Sequence, residues 1–237
     1  ISGIATWILV PYDQANAKNI DAEDKIDFKM VGKVLKMPFT WYLGLFTLGY
    51  FIIRSTVTYM NPYMTDGFGV SIGIAALLTN TLRSGMNLVA GPIGGTLIDK
   101  CGRSTPIVMF GSIGTLIFTI FLALIPINHE MIAILLIVSV IMMFLSYINS
   151  TALYTPITEA GISLDYIGTV IGISSAIGYS SDIWLMNLCG YWLDVHGMGG
   201  YRYIWAMQSV GAIMMLVTGI LMAKYYKRKK EKDNPSV

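Results

Sequence analysis

Charge is what this sequence has least of. Only 13% of its 237 residues are Asp, Glu, Lys or Arg, while 54% are hydrophobic. Soluble domains carry about 25% charged residues, so the chain lacks the groups that would cover a water-facing surface. A buried core cannot absorb the difference, because a chain of this size still presents most of its outer side chains to its solvent. That solvent is lipid. The net charge of +2 provides no strongly basic face, and no nucleic-acid partner is expected.

Cysteine and histidine are scarce too. Cys101 and Cys189 stand in no metal-ligand spacing and fall near opposite faces of the membrane, which argues against a disulfide. His129 and His196 fall in loops or at span ends, so neither a metal nor a cofactor is expected. No H-E-x-x-H, G-x-S-x-G or P-loop is present, and acids inside the apolar runs are few, so the chain is not expected to be an enzyme. Residues 1–12 are apolar without a basic flank, unlike a signal peptide. They are also shorter than the ~20 residues of a spanning helix. They read as the end of a preceding transmembrane helix, and the sequence as a fragment.

Long apolar runs are what the chain does have. Residues 13–38 mix five lysines with acids and read as a water-exposed linker, with a short surface helix near Phe28–Leu35. Six apolar segments follow, near 39–64, 70–98, 105–127, 130–154, 166–189 and 203–226. Each is long enough to cross a bilayer as a tilted helix, and the connections are short, so antiparallel neighbours are expected. The predicted fold is all-α, a polytopic six-transmembrane-helix bundle over 39–226 with a basic tail over 227–237. Continuous runs exclude a β-barrel, whose strands alternate. With linker and tail in the cytoplasm, that side holds the five linker lysines, Lys100 and Arg103, and six tail cations. The other side holds only Arg202. The expected location is a plasma or inner membrane, multi-pass, with the C-terminus cytoplasmic.

Gly91 with Gly95, and Gly168 with Gly172, form G-x-x-x-G pairs, and such pairs are expected at helix contacts. Asn61-Pro62 is expected to bend or end the first span. Three charges lie inside spans. Arg54 is ~20 Å along its helix from Trp41, at about 1.5 Å per residue; Arg83 lies at similar depth, and Asp182 lies outward of the centre of the fifth span. An isolated charge at that depth costs about 2.5–3.5 kcal/mol or more, so each should face a partner or a water-filled cavity.

The loop between the second and third spans carries the most specific pattern. Gly95-Thr96-Leu97-Ile98-Asp99-Lys100-Cys101-Gly102-Arg103-Ser104 resembles the major facilitator signature G-x-L-a-D-r-x-G-r-k, and only Ser104 departs from it. The resemblance implies two six-helix bundles joined by a cytoplasmic linker, with a small-molecule substrate bound between them near the membrane midplane. This chain would be the C-terminal half of a twelve-helix fold, and its partner the N-terminal six-helix bundle of the same protein. Gly95, Asp99, Gly102 and Arg103 would serve a cytoplasmic gate. Asp99 would accept from a neighbouring helix N-terminus, and Arg103 would pair with an acid.

Around Arg54 the stretch Trp41-Tyr42, Asn61-Pro62-Tyr63 and Phe68-Gly69 loosely resembles the seventh span of the organophosphate:inorganic-phosphate antiporters. Glycines of the fifth span agree with that group. There an arginine at the position of Arg54 binds the substrate phosphate. The expected function is secondary transport of an anionic organic or phosphorylated solute by alternating access. Arg54 and Arg83 are the candidate substrate contacts, and Asp182 the counter-ion or coupling residue. A transporter-like sensor, or a carrier of a neutral solute such as a sugar, are the alternatives.

Overall fold

A computed structural model describes residues 28–233, and among these all regular structure is helical. The expected end of a preceding helix at 1–12 and most of the linker lie outside the described residues. Helix α1, Phe28–Leu35, occupies the stretch where a short helix is expected, and it buries Val34. The bundle helices are α2 (Pro38–Thr56), α3 (Ile72–Cys101), α4 (Thr105–Leu124), α5 (Ile132–Thr151), α7 (Leu164–Tyr179), α8 (Ser181–His196) and α9 (Gly200–Asp233). A short α6 (Thr155–Glu159) joins α5 to α7.

Local chemistry sets the ends. Pro38, Pro106 and Pro156 sit in the first turns of α2, α4 and α6, where a missing N–H costs nothing. The Ser71 hydroxyl caps α3 by accepting from the Ile74 N–H at 3.4 Å. Gly102, at φ +66°, closes the other end of α3 in the left-handed region that glycine enters freely. The Asn61-Pro62 pair loosens the helix after α2 without ending it. Val57–Tyr59 is a 3₁₀ turn and Tyr63–Gly67 a π turn, so the helical path continues beyond the proline.

The expected fifth span is in fact two helices. α7 ends at Tyr179, and α8 starts at Ser181 and runs to His196, beyond the expected end at 189. Ser180 donates its hydroxyl to the Ile177 carbonyl at 2.6 Å and Ser181 to that of Gly178 at 3.0 Å. Such back-bonding competes with the helical ladder and bends helices. The last helix also outlasts its expected span, because the Lys- and Glu-rich run after Tyr226 consists of good helix formers.

Small residues decide the packing, though not those expected. A Cβ on Gly49 would stand 2.6 Å from the Gly211 carbonyl oxygen, so α2 and α9 meet backbone to backbone. Gly178 faces Phe51 and Thr47, and the Thr47 hydroxyl donates to the Ser174 carbonyl at 2.7 Å, joining α2 to α7. Gly94 admits Thr151 between α3 and α5, and Gly111 admits Asn149 between α4 and α5. Gly91, Gly95, Gly168 and Gly172, by contrast, have no atom within 4 Å of a built Cβ among the described residues. The motif fixes the spacing of small residues along a helix, not which side faces inward.

The helices form an arc in the order α7, α2, α9, α4, α5, α3, with α8 against α9 and α2. α2 and α5 touch across it. Leu77, Leu88, Phe110, Ile137 and Ile183 are exposed, while Thr47, Ser112, Thr115, Ser139, Asn149 and Gln208 are buried. Apolar outside and polar inside is the arrangement a hydrocarbon solvent favours. Three stretches are long and apolar enough to span by composition: Thr105–Leu124, Ile132–Thr151 and the run Leu164–Lys229. α2 and α3 are not among them, because tyrosines, threonines, asparagines and the two arginines dilute their apolar runs. The protein is an all-α, polytopic membrane protein.

Candidate functional site

The cleft begins with helical spacing. Tyr50, Ile53, Arg54 and Val57 fall at i, i+3, i+4 and i+7 along α2 and its 3₁₀ continuation, and Met143, Ser146 and Tyr147 at i, i+3 and i+4 along α5. One face of each helix therefore carries them. These seven residues line a small cleft, partly open to solvent. Its walls are mostly apolar, with Arg54 as their charged group.

Arg54 is exposed, and its guanidinium lies over the Phe51 ring at 5.5 Å from the centroid. Among the described residues no carboxylate pairs with it. The aromatic face offers a cation modest stabilisation and leaves the guanidinium's donors free. Phe51 is itself buried, and its ring is 4.2 Å from that of Tyr179, at the end of α7. The floor beneath Arg54 is thus tied to the break between α7 and α8.

Asp182 stands just past that break, in the first turn of α8. Its Oδ1 accepts from the Ser55 hydroxyl at 2.9 Å. The N-terminal turn of a helix favours a carboxylate there. Asp182 and Arg54 therefore reach α2 at neighbouring residues without pairing. Arg83 lies in the middle of α3, and its side chain is outside the described set.

The signature residues gather at the basic end of the bundle. Gly102 makes the left-handed cap, and Asp99 supplies the backbone carbonyl that accepts from the Gly102 N–H at 3.3 Å. The Asp99 carboxylate is exposed and, among the described residues, accepts from no neighbouring helix N-terminus. Glu159 takes that role: its Oε1 accepts from the Ser104 N–H, at the start of α4, at 2.5 Å. Arg103 is exposed and makes no ion pair among the described residues. α9 completes the end. Tyr226 donates to the Pro156 carbonyl at 3.0 Å, and Lys229 to the carbonyls of Ala160 at 2.6 Å and Gly161 at 3.1 Å.

The sequence marks Arg54, and Tyr50 and Tyr147 line the cleft with it. Ser55, Phe51, Met143 and Ser146 carry no such mark. The i, i+3, i+4 spacing around Arg54 was the available signal for Phe51, while nothing in the sequence marks Ser55 as the partner of Asp182. Tyr154 and Ser175 pair with each other at 2.8 Å, joining the end of α5 to α7.

Two Escherichia coli K12 proteins are similar along nearly the whole chain. Inner membrane protein YqcE is 25% identical over 225 residues, covering 93% of this chain and 53% of that protein. Inner membrane protein YihN is 21% identical over 233 residues, covering 96% and 55%. An uncharacterized Mycoplasma pneumoniae protein is 25% identical over 148 residues, covering 57% of this chain and 66% of that one. The chain spans about half the length of the first two relatives. No solved structure matches. The Major Facilitator Superfamily matches residues 1–184. With this match and the signature loop at the start of α4, the chain belongs to this family of membrane transporters.

Proposed function

We propose that the complete protein carries a small anionic organic or phosphorylated solute across the membrane by alternating access, and that Arg54 binds its anionic group. One observation carries this reading: among the described residues, a guanidinium at mid-helix depth lines a mostly apolar cleft with no carboxylate to neutralise it. A charge so placed is costly unless something compensates it. A guanidinium offers a planar fork to two oxygens and stays protonated, which suits a phosphate or carboxylate. Arg83, at similar depth on α3, is the second candidate contact. Asp182 serves as counter-ion or proton carrier, because it sits at a helix break and is held by a single hydroxyl.

The other wall of the substrate site comes from an N-terminal six-helix bundle of the same protein. The half-length match to the first two relatives supports this, as do the open glycines of α3 and α7. The basic end faces the cytoplasm, following the distribution of Lys and Arg. There Gly95, Asp99, Gly102 and Arg103 form the gate loop against the missing half. Rocking of the two halves about the site gives access to each side in turn.

The test is uptake by the full-length protein in proteoliposomes, with a panel of phosphate esters, inorganic phosphate, carboxylates and neutral sugars, with and without a proton gradient. Uptake confined to anions supports the reading, and exchange against internal phosphate narrows it to antiport. Uptake of a neutral sugar alone refutes it. Binding of an anion without flux would make the protein a sensor.

A further inference from the structure

Behind the cleft, α4 and α5 enclose a polar seam that substrate binding does not use. The helices run antiparallel, in a register that sets Thr119 against Met142, Thr115 against Ser146, and Gly111 against Asn149. All these side chains are buried in the bundle. Thr115 donates its hydroxyl to the Gly111 carbonyl at 2.8 Å, Thr119 to that of Thr115 at 2.7 Å, and Ser146 to that of Met142 at 2.8 Å. Their hydrogens are thus spent on their own helices. Across the seam the hydroxyls offer mainly lone pairs, and Thr115 and Ser146 approach each other only to 3.4 Å.

Asn149 is the exception. Its side chain is fully buried, and neither Oδ1 nor Nδ2 has a hydrogen-bond partner among the described residues. The Ser112 hydroxyl, at the same level on α4, is likewise buried without a partner. A buried amide left unpaired is unfavourable, and in hydrocarbon no lipid can satisfy it. Gly111 admits the Asn149 side chain to the seam, since a Cβ there would stand 2.5 Å from its Oδ1.

We infer that this seam is a binding site for ordered water, reached from the Arg54 cleft through Ser146, which lines the cleft and faces Thr115. The inventory of groups selects the ligand. The Asn149 N–H groups need an acceptor, which a bare cation cannot supply. The surrounding oxygens need donors, which an anion cannot supply, and among the described residues no cation faces the seam to hold one. Water does both, and buried waters typically make about three such bonds. The site does not depend on the solute carried.

Radiolytic hydroxyl-radical footprinting tests this on the intact full-length protein in membranes, since radicals formed from ordered water oxidise the side chains beside it. Met142 lies one turn from Ser146, and like Met64 and Met215 it has no exposed surface. Met142 is expected to oxidise several-fold faster than Met64 and Met215, and Asn149→Leu to abolish the excess. Oxidation of Met142 at the rate of the other two overturns the site. An excess that survives Asn149→Leu overturns it as well, because the water is then held elsewhere. If Asn149→Leu does not fold, the comparison of methionines in the unmodified protein decides alone.

Discussion

The basic end of the bundle and the cleft at its middle treat their charges in opposite ways. At the basic end, Glu159 holds the first N–H of α4 and Lys229 holds two carbonyls at the end of the α6 segment, so each charge closes a gap between elements. In the cleft, Arg54 rests on one aromatic ring; nearby, outside the cleft lining, Asp182 accepts one hydroxyl, and the two form no ion pair. Backbone partners are fixed by the fold, so a charge that satisfies them contributes to stability. A charge whose bonding capacity is left open costs stability and is available to something that comes and goes. The role proposed for Arg54 rests on this contrast.

The largest expected effect lies in the cleft. Arg54→Ala should cut anion uptake about 10- to 100-fold, the loss of one or two charge-assisted hydrogen bonds, and leave the thermal midpoint in detergent no lower than that of the wild type. Arg54→Lys should restore little, because an ammonium lacks the fork. A fall in stability matching the fall in uptake would erase the contrast. The next effect concerns packing. Gly49→Val should destabilise by about 1–3 kcal/mol, since the α2–α9 approach has no room for a side chain; a thermal shift measures it. At the basic end, Glu159→Ala should cost about 1–2 kcal/mol by leaving the Ser104 N–H unpaired, with Glu159→Gln milder because its oxygen still accepts. Lys229→Ala should cost under about 1 kcal/mol. The smallest effect is expected on this chain by itself. Gly91→Ala and Gly168→Ala should move its thermal midpoint by an amount equivalent to under about 0.5 kcal/mol. The same changes should impair the full-length protein if those faces meet the other half.

Much of the fold was legible because hydrocarbon solvent writes long runs into a sequence. The apolar segments became helices, α1 formed over Phe28–Leu35, and the glycine of the signature loop sits where a left-handed cap is needed. What could not be read were relations between helices. The break at Ser180 arises from serines bonding back to their own helix, and the same residue type continues a helix elsewhere in the chain. The choice of Gly49 and Gly211 over Gly91 and Gly95 as contact glycines depends on how each helix is rotated, which spacing alone does not give. In the site, Arg54 was legible as a charge in an apolar run. The hydroxyl of Ser55 on Asp182 was not, because 127 residues separate them. Nor was the contact of Glu159 with the Ser104 N–H legible, because it depends on how the turn of α6 brings it to the start of α4.

The central claim is that Arg54 is kept without a carboxylate partner so that an anionic solute can occupy its cleft. The most direct measurement is the concentration dependence of anion uptake by the full-length protein in proteoliposomes, with wild type, Arg54→Lys and Arg54→Ala side by side at equal reconstitution. The account predicts that both variants lose anion uptake while remaining folded. Anion uptake by Arg54→Ala at the wild-type rate would contradict it, and would make Arg54 a structural charge.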